Sequence, residues 1–190
     1  MGSTLQALLL SYSLSGAAGL RPSLSLLIVS IAIKIGLLHA NPSLAWLGAG
    51  WVMGLAGAAT LLELIADKVP VVDHALHVVH FGLAPVVGAV TAMSGYQGDP
   101  SLAVIPAVLG GGNALLVHTA RAGVRAATTA STFGLGNTFV SFLEDGIAVV
   151  FILVAIVAPA LTALLLVLVT IWAVRLVRRL RAARTAQGSR

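Results

Sequence analysis

Long apolar runs fill the chain, broken by short polar or glycine- and proline-bearing stretches, the pattern of helices set in an apolar medium. Leu5 to Leu14 is apolar but about half a membrane thick and runs into the small-residue stretch Ser15 to Ser23. It predicts a short span, a re-entrant half helix or an interfacial helix. Leu24 to Leu38 predicts a first full helix, closed by the turn His39, Ala40, Asn41, Pro42. Ser43 to Ala66 predicts a second, with Gly50, Gly54 and Gly57 on one side, a spacing that admits a neighbouring helix closely. Pro70 opens the third, Val71 to Met93, because proline fits a first turn and not a helix interior. Ser101 to Ala120 predicts a fourth, with a kink or a close backbone approach at Gly110, Gly111 and Gly112. The small, polar stretch Arg121 to Asn137 predicts a broken or re-entrant segment. Thr138 to Val174 as a single helix would be about 55 Å long, nearly twice the hydrocarbon thickness. Pro159 therefore divides it in two.

Composition places these helices in a bilayer. Hydrophobic residues make up 58% of the chain and charged residues 9%, with a mean hydropathy of +1.03, whereas about a quarter of an ordinary soluble domain is charged. The expected fold is all-α: a polytopic bundle of about six transmembrane helices, with one or two broken segments around Arg21 and Arg125. Residues 1–177 form the membrane domain and 178–190 a basic cytoplasmic tail. The N-terminal segment lacks the basic residues that open a secretory signal and is expected to stay in the mature protein. Basic residues favour the cytoplasmic side, and a cytoplasmic C-terminus puts every Lys and Arg but Lys34 on that side. No basic patch is interleaved with aromatic residues, which argues against nucleic acid.

The same topology gathers the scarce ionisable groups into one layer. The joint Leu61 to His80 carries Glu63, Asp67, Lys68, Asp73, His74, His77 and His80. At about 100° per residue, Asp73, His77 and His80 share a stripe, as do Glu63 and Asp67 on the preceding helix. Glu63, Asp67, Asp73, His77, His80 and His118 thus form a candidate site for a divalent metal, and His77 and His80 are candidate titrating groups. Helix capping by Asp73 and pairing of Lys68 with Asp67 are the structural alternatives. A four-residue echo, Ala18-Gly19-Leu20-Arg21 and Ala122-Gly123-Val124-Arg125, suggests an internal repeat with an arginine at a break in each half. Paired breaks of that kind house transporter substrates, and arginine suits a carboxylate or phosphate. Arg21 and Arg125 serve equally well as orientation anchors paired with Glu63 and Glu144. Glu144 and Asp145 are costly on a lipid-facing surface and are expected to face the bundle interior.

No G-x-S-x-G, H-E-x-x-H or phosphate-loop pattern occurs, and cysteine is absent, so no catalytic residue is assigned. The expected function is a small carrier or channel-like transporter for an anionic or zwitterionic ligand, with Arg21, Arg125, Glu63, Glu144, Asp145, His77 and His80 as its site and protons as a coupling ion. No cofactor is expected unless the metal reading holds; a scaffold without transport is a further alternative. The Gly50, Gly54, Gly57 face is available for homo-oligomer contacts.

The runs AGLRPSLSLL, LELIADKVPVVDHALHVVH, GGGNALLVHTARAGVRAATTASTFGLGN and SFLEDGIAVV together resemble the bacterial family known as domain of unknown function 4126, over about Leu5 to Leu165. The resemblance implies an integral membrane protein, here expected in the bacterial inner membrane, and assigns no activity.

Overall fold

The computed structural model describes residues 2–66, 70–132 and 135–187. Among them the chain is helical throughout: α1 (Gly2–Leu20), α2 (Pro22–Lys34), a 3-10 helix (Pro42–Gly48), α3 (Gly50–Ala66), α4 (Pro70–Gly95), a 3-10 turn (Pro100–Leu102), α5 (Val104–Thr132), α6 (Leu135–Val157) and α7 (Pro159–Gln187). Prolines set several of the starts. Pro22, Pro70 and Pro159 each occupy a first turn, where the missing N–H removes no intrahelical bond. Helix α2 ends in a Schellman arrangement: Gly36 takes φ +76°, its N–H reaches the Ile33 carbonyl at 3.1 Å, and the Leu37 N–H reaches Ala32 at 2.9 Å.

Helix α1 sits in the middle, touching α2, α4, α5, α6 and α7. Its Leu14, Ala17 and Ala18 are fully buried, the first two against Val29, Ala32, Leu38, Ile152 and Ala155 and the third against Val87 and Ala114. Helices α1 and α5 run parallel. The Asn113 amide donates to the Tyr12 carbonyl at 3.0 Å and to Ser15 Oγ at 2.9 Å, and further along Arg121 reaches the Leu20 carbonyl at 2.8 Å. At the end far from Arg21, Asn41 ties the approach to α3 onto the end of α4: its N–H donates to the Ser94 carbonyl at 3.0 Å and its amide to the Tyr96 carbonyl at 3.2 Å.

Two expectations are corrected. The N-terminal segment is no half helix; α1 continues through Ser15 to Leu20 and stops only at Arg21, because small residues there admit neighbours rather than break the helix. A Cβ on Gly19 would meet the Ala114 carbonyl and the Val117 side chain. Helix α5 likewise runs unbroken through Gly110 to Gly112 and past Arg125, so no break lies at Arg125. Gly110 and Gly111 seat α5 on α4, whereas an added Cβ on Gly112 would meet nothing within 4 Å among the described residues. A Cβ on Gly110 would meet Ala92 and, at 2.7 Å, the Gly88 carbonyl, and one on Gly111 would lie 3.0 Å from the Pro85 carbonyl. On the Gly50, Gly54, Gly57 face an added Cβ at Gly50 or Gly54 has nothing within 4 Å among the described residues, and one at Gly57 has Leu27 Cδ1 at 3.9 Å.

The segment from Ser43 bends by 59° between the 3-10 helix and α3. Helices α4 (over Val78–Gly95) and α6 (over Phe139–Val157) are long and apolar enough to cross a membrane, and the bent pair, when counted as one span, makes a third. Of the other expected spans, α2 has 13 residues, about 20 Å, α5 is long enough but carries charge in its second half, and the apolar part of α7 among the described residues is Pro159–Val169.

The surface is inverted relative to a water-soluble domain. Leu55, Leu62, Val78, Phe139, Val150 and Trp172 are exposed, whereas Arg21, Glu63, His80, His118, Arg121 and Glu144 are buried. Exposed apolar surface on this scale calls for an apolar environment.

Candidate functional site

The buried charges form two adjoining clusters. The first is organised by the break between α1 and α2, where Arg21 leaves the helical conformation (φ −144°, ψ 92°) so that Pro22 can start α2. Its side chain, 1% exposed, points into the bundle. Nε lies 2.6 Å from Asp145 Oδ1 and Nη2 donates to Ser141 Oγ at 2.8 Å, both on α6. The neighbouring acid faces elsewhere. Glu144, about 100° round the helix from Asp145, turns to α5, where its Oε2 accepts from Arg121 Nε at 2.9 Å and from Arg125 at 3.2 Å (Nε) and 3.1 Å (Nη2). Arg121 also donates from Nη1 to the Leu20 carbonyl, one of the last carbonyls of α1 and the negative end of its dipole. Three guanidiniums thus face two carboxylates, with Arg21 and Arg125 close enough to repel Arg121 electrostatically.

The second cluster begins two residues after Arg21. Ser23 Oγ donates to Glu63 Oε1, and His80 Nε2 lies 2.8 Å from the same oxygen, so α2, α3 and α4 meet on one carboxylate. The Glu63 and His80 side chains are each 5% exposed. Glu63 Oε2 is buried with no hydrogen-bond partner among the described residues. Behind His80 the His118 ring of α5 stands edge-on, with centroids 6.3 Å apart, and Phe81 approaches its other side at 6.5 Å. His118 precedes Arg121 by one turn, so α5 links the clusters into one layer.

The residues singled out by sequence fall as follows. Arg125 and Glu144 come together, as do Arg21 and Asp145; Glu63 meets His80 rather than Arg21. Asp67 lies outside the described residues, as do the side chains of Asp73 and His77, whose backbone belongs to α4. Of the candidate metal set, Glu63 and His80 touch and His118 stands beside His80, and no three His, Asp or Glu side chains among the described residues converge in a metal-binding arrangement. Sequence reasoning assigned no site role to Arg121, Ser23 or Ser141. The signal for Arg121 was its spacing from Arg125, four residues on one helical face, but the Ala-Gly-x-Arg echo drew weight to Arg125 alone. The two copies of that echo occupy different settings: Arg21 ends a helix beside the tightly packed Gly19, whereas Arg125 lies within α5 beside Gly123, which has open space around it.

Chemically, the arrangement holds fixed positive charge where water is scarce. Guanidiniums bind carboxylate and phosphate oxygens through paired N–H donors, and two of them already share a single carboxylate oxygen. No curated protein and no solved structure matches the chain. The family model described as Domain of unknown function (DUF4126) matches residues 8–179, and the chain belongs to that family.

Proposed function

We propose that this protein is a polytopic membrane carrier that binds a small anionic or zwitterionic ligand at the Arg21, Arg121, Arg125 layer. The observation that carries the reading is the convergence of the buried Arg121 and Arg125 guanidiniums on Glu144 Oε2. A ligand carboxylate or phosphate would exchange places with that oxygen while Asp145 and Ser141 hold Arg21 for its second contact. Glu63 and His80 then serve as the proton-binding pair, coupled to Arg21 through Ser23. The inverted surface supports the bilayer, and α1, at 19 residues or about 28 Å, adds a seventh crossing to the six read from sequence. The arginine-bearing end of α7 then faces the cytoplasm and residue 2 the opposite side.

The test is thermal unfolding of the purified protein with inorganic phosphate and with small carboxylates at several pH values, followed by flux into vesicles for any anion that stabilises. A ligand at a hundredfold excess over its Kd adds about 2.7 kcal/mol to the folded state. Stabilisation by one anion class, lost in a folded Arg125→Ala variant, supports the reading. Indifference to every anion at every pH overturns it.

A further inference from the structure

We infer that the C-terminal end of α7 is a binding site for anionic lipid headgroups. The inference rests on the membrane reading but not on the carrier reading.

Helix α7 does not give way to an irregular tail after its apolar part. It continues to Gln187, carrying Arg175, Arg178, Arg179, Arg181 and Arg184 on one rigid rod. Twenty-nine residues make about 43 Å of helix, more than the roughly 30 Å of hydrocarbon, so its far end must leave the apolar layer. Trp172, 65% exposed, lies on the last turn before the arginines, and tryptophan favours the headgroup level. Arg175 and Arg178, one and two turns later, are exposed as well.

Two features of the sequence say what meets this charge. From Gly146 to Arg190 there is no Asp or Glu, so neither α7 nor the second part of α6 offers the arginines a carboxylate. At about 100° per residue the five arginine positions span roughly 220° of the helix and leave a stripe of Leu176, Leu180 and Ala183 without charge. That division of basic and apolar positions suits a helix end held at the headgroup surface, its apolar stripe toward the bilayer and its guanidiniums toward the phosphates. Clusters of four to eight basic residues just outside a membrane helix recruit anionic lipid, each residue favouring association by roughly fivefold. Guanidinium is the side chain suited to that partner, because its paired donors match phosphate oxygens.

The experiment uses the full chain reconstituted in bilayers of phosphatidylcholine containing a minority of spin-labelled phosphatidylglycerol or spin-labelled phosphatidylcholine, with the motionally restricted fraction read by electron spin resonance. The expected result is a selectivity for phosphatidylglycerol of fivefold or more, abolished when the five arginines are replaced by glutamine and suppressed in about 1 M salt, where the screening length is about 3 Å. Salt acts on the wild-type protein, so the test stands even where the fivefold variant fails to fold. Equal association of the two lipids, or selectivity unchanged by both salt and substitution, overturns the inference. So does tight retention of RNA by the detergent-solubilised protein in place of lipid selectivity. Failure of the membrane reading looks different: an alkaline carbonate wash would then strip the protein from membranes altogether.

Discussion

Removing Glu144 is the sharpest perturbation of the buried layer. Its Oε2 is the shared acceptor of Arg121 and Arg125, and the three side chains are 11%, 5% and 11% exposed, too deep for water to replace the lost charge. Breaking a buried ion pair from one side costs about 3 to 5 kcal/mol, because the remaining charge stays desolvated. Arg121 keeps the Leu20 carbonyl, which holds the estimate within that range although two cations lose their acceptor. For a chain of this size the loss corresponds to a fall in Tm on the order of 10 °C. Glu144→Ala additionally leaves a space lined by two guanidiniums, of a shape that acetate or formate fills. The assay is thermal unfolding of wild type, Glu144→Ala and Glu144→Gln with acetate or chloride as the only variable anion. Acetate should restore much of the loss in Glu144→Ala and do little for Glu144→Gln, whose amide occupies the space. A Glu144→Ala protein within about 0.5 kcal/mol of wild type would refute the electrostatic account.

The other expectations test packing, the second cluster and the exposed turn. Gly88→Val drives a side chain into Ala114 and the Gly110 carbonyl and should destabilise by about 2 kcal/mol or more, whereas Gly54→Ala enters open space and should be neutral or stabilising by up to about 1 kcal/mol; paired unfolding curves check both. His80→Leu strands the buried Glu63 carboxylate and should cost about 3 kcal/mol or more, whereas Glu63→Gln, whose amide still meets Ser23 and His80, should cost about 1 to 2 kcal/mol; the reverse order would show that charge is not what holds this site. The Asp99 carboxyl lies below the ordinary carboxylate value because Ser101 donates to it from its hydroxyl and its backbone N–H. A depressed pKa stabilises above the ordinary value and loses that contribution as pH falls through the lowered one, so the stability difference between wild type and Asp99→Ala should be full at neutral pH and close on acidification.

Much of the layout was legible because apolar run length and proline positions are local signals. Pro22, Pro70 and Pro159 open helices in the structure as proline stereochemistry requires, and the division of the last long apolar run at Pro159 follows from helix rise alone. Glycine was the weak guide. In water Gly110 to Gly112 would weaken a helix, but between packed helices Gly110 and Gly111 bring α5 onto α4, and which role applies depends on a neighbour the local sequence does not name. The site shows the same division. The inward facing of Glu144 and Asp145 follows from the cost of charge in an apolar medium, whereas the partner each takes depends on helix rotation: adjacent on α6, they point to α5 and to the α1–α2 break.

That break is also where the two clusters meet. Arg21 and Ser23 flank Pro22, whose ring fixes the backbone between them, so the side held by Asp145 and Ser141 on α6 and the side held by Glu63 on α3 are separated by a stiff dipeptide. A change of charge on Glu63 should weaken the Ser23 hydrogen bond and, through Pro22, shift how Arg21 meets Asp145. Residues that share no contact and no network add within about 0.3 to 0.5 kcal/mol, whereas members of one network couple by about 0.5 to 3 kcal/mol. The double-mutant cycle of Glu63→Gln with Asp145→Asn, read by equilibrium unfolding, should therefore show a coupling above about 0.5 kcal/mol that disappears when Ser23 is replaced by Ala. Additive losses would mean two independent ion pairs side by side, and the proton-binding pair would then have no route to the arginines.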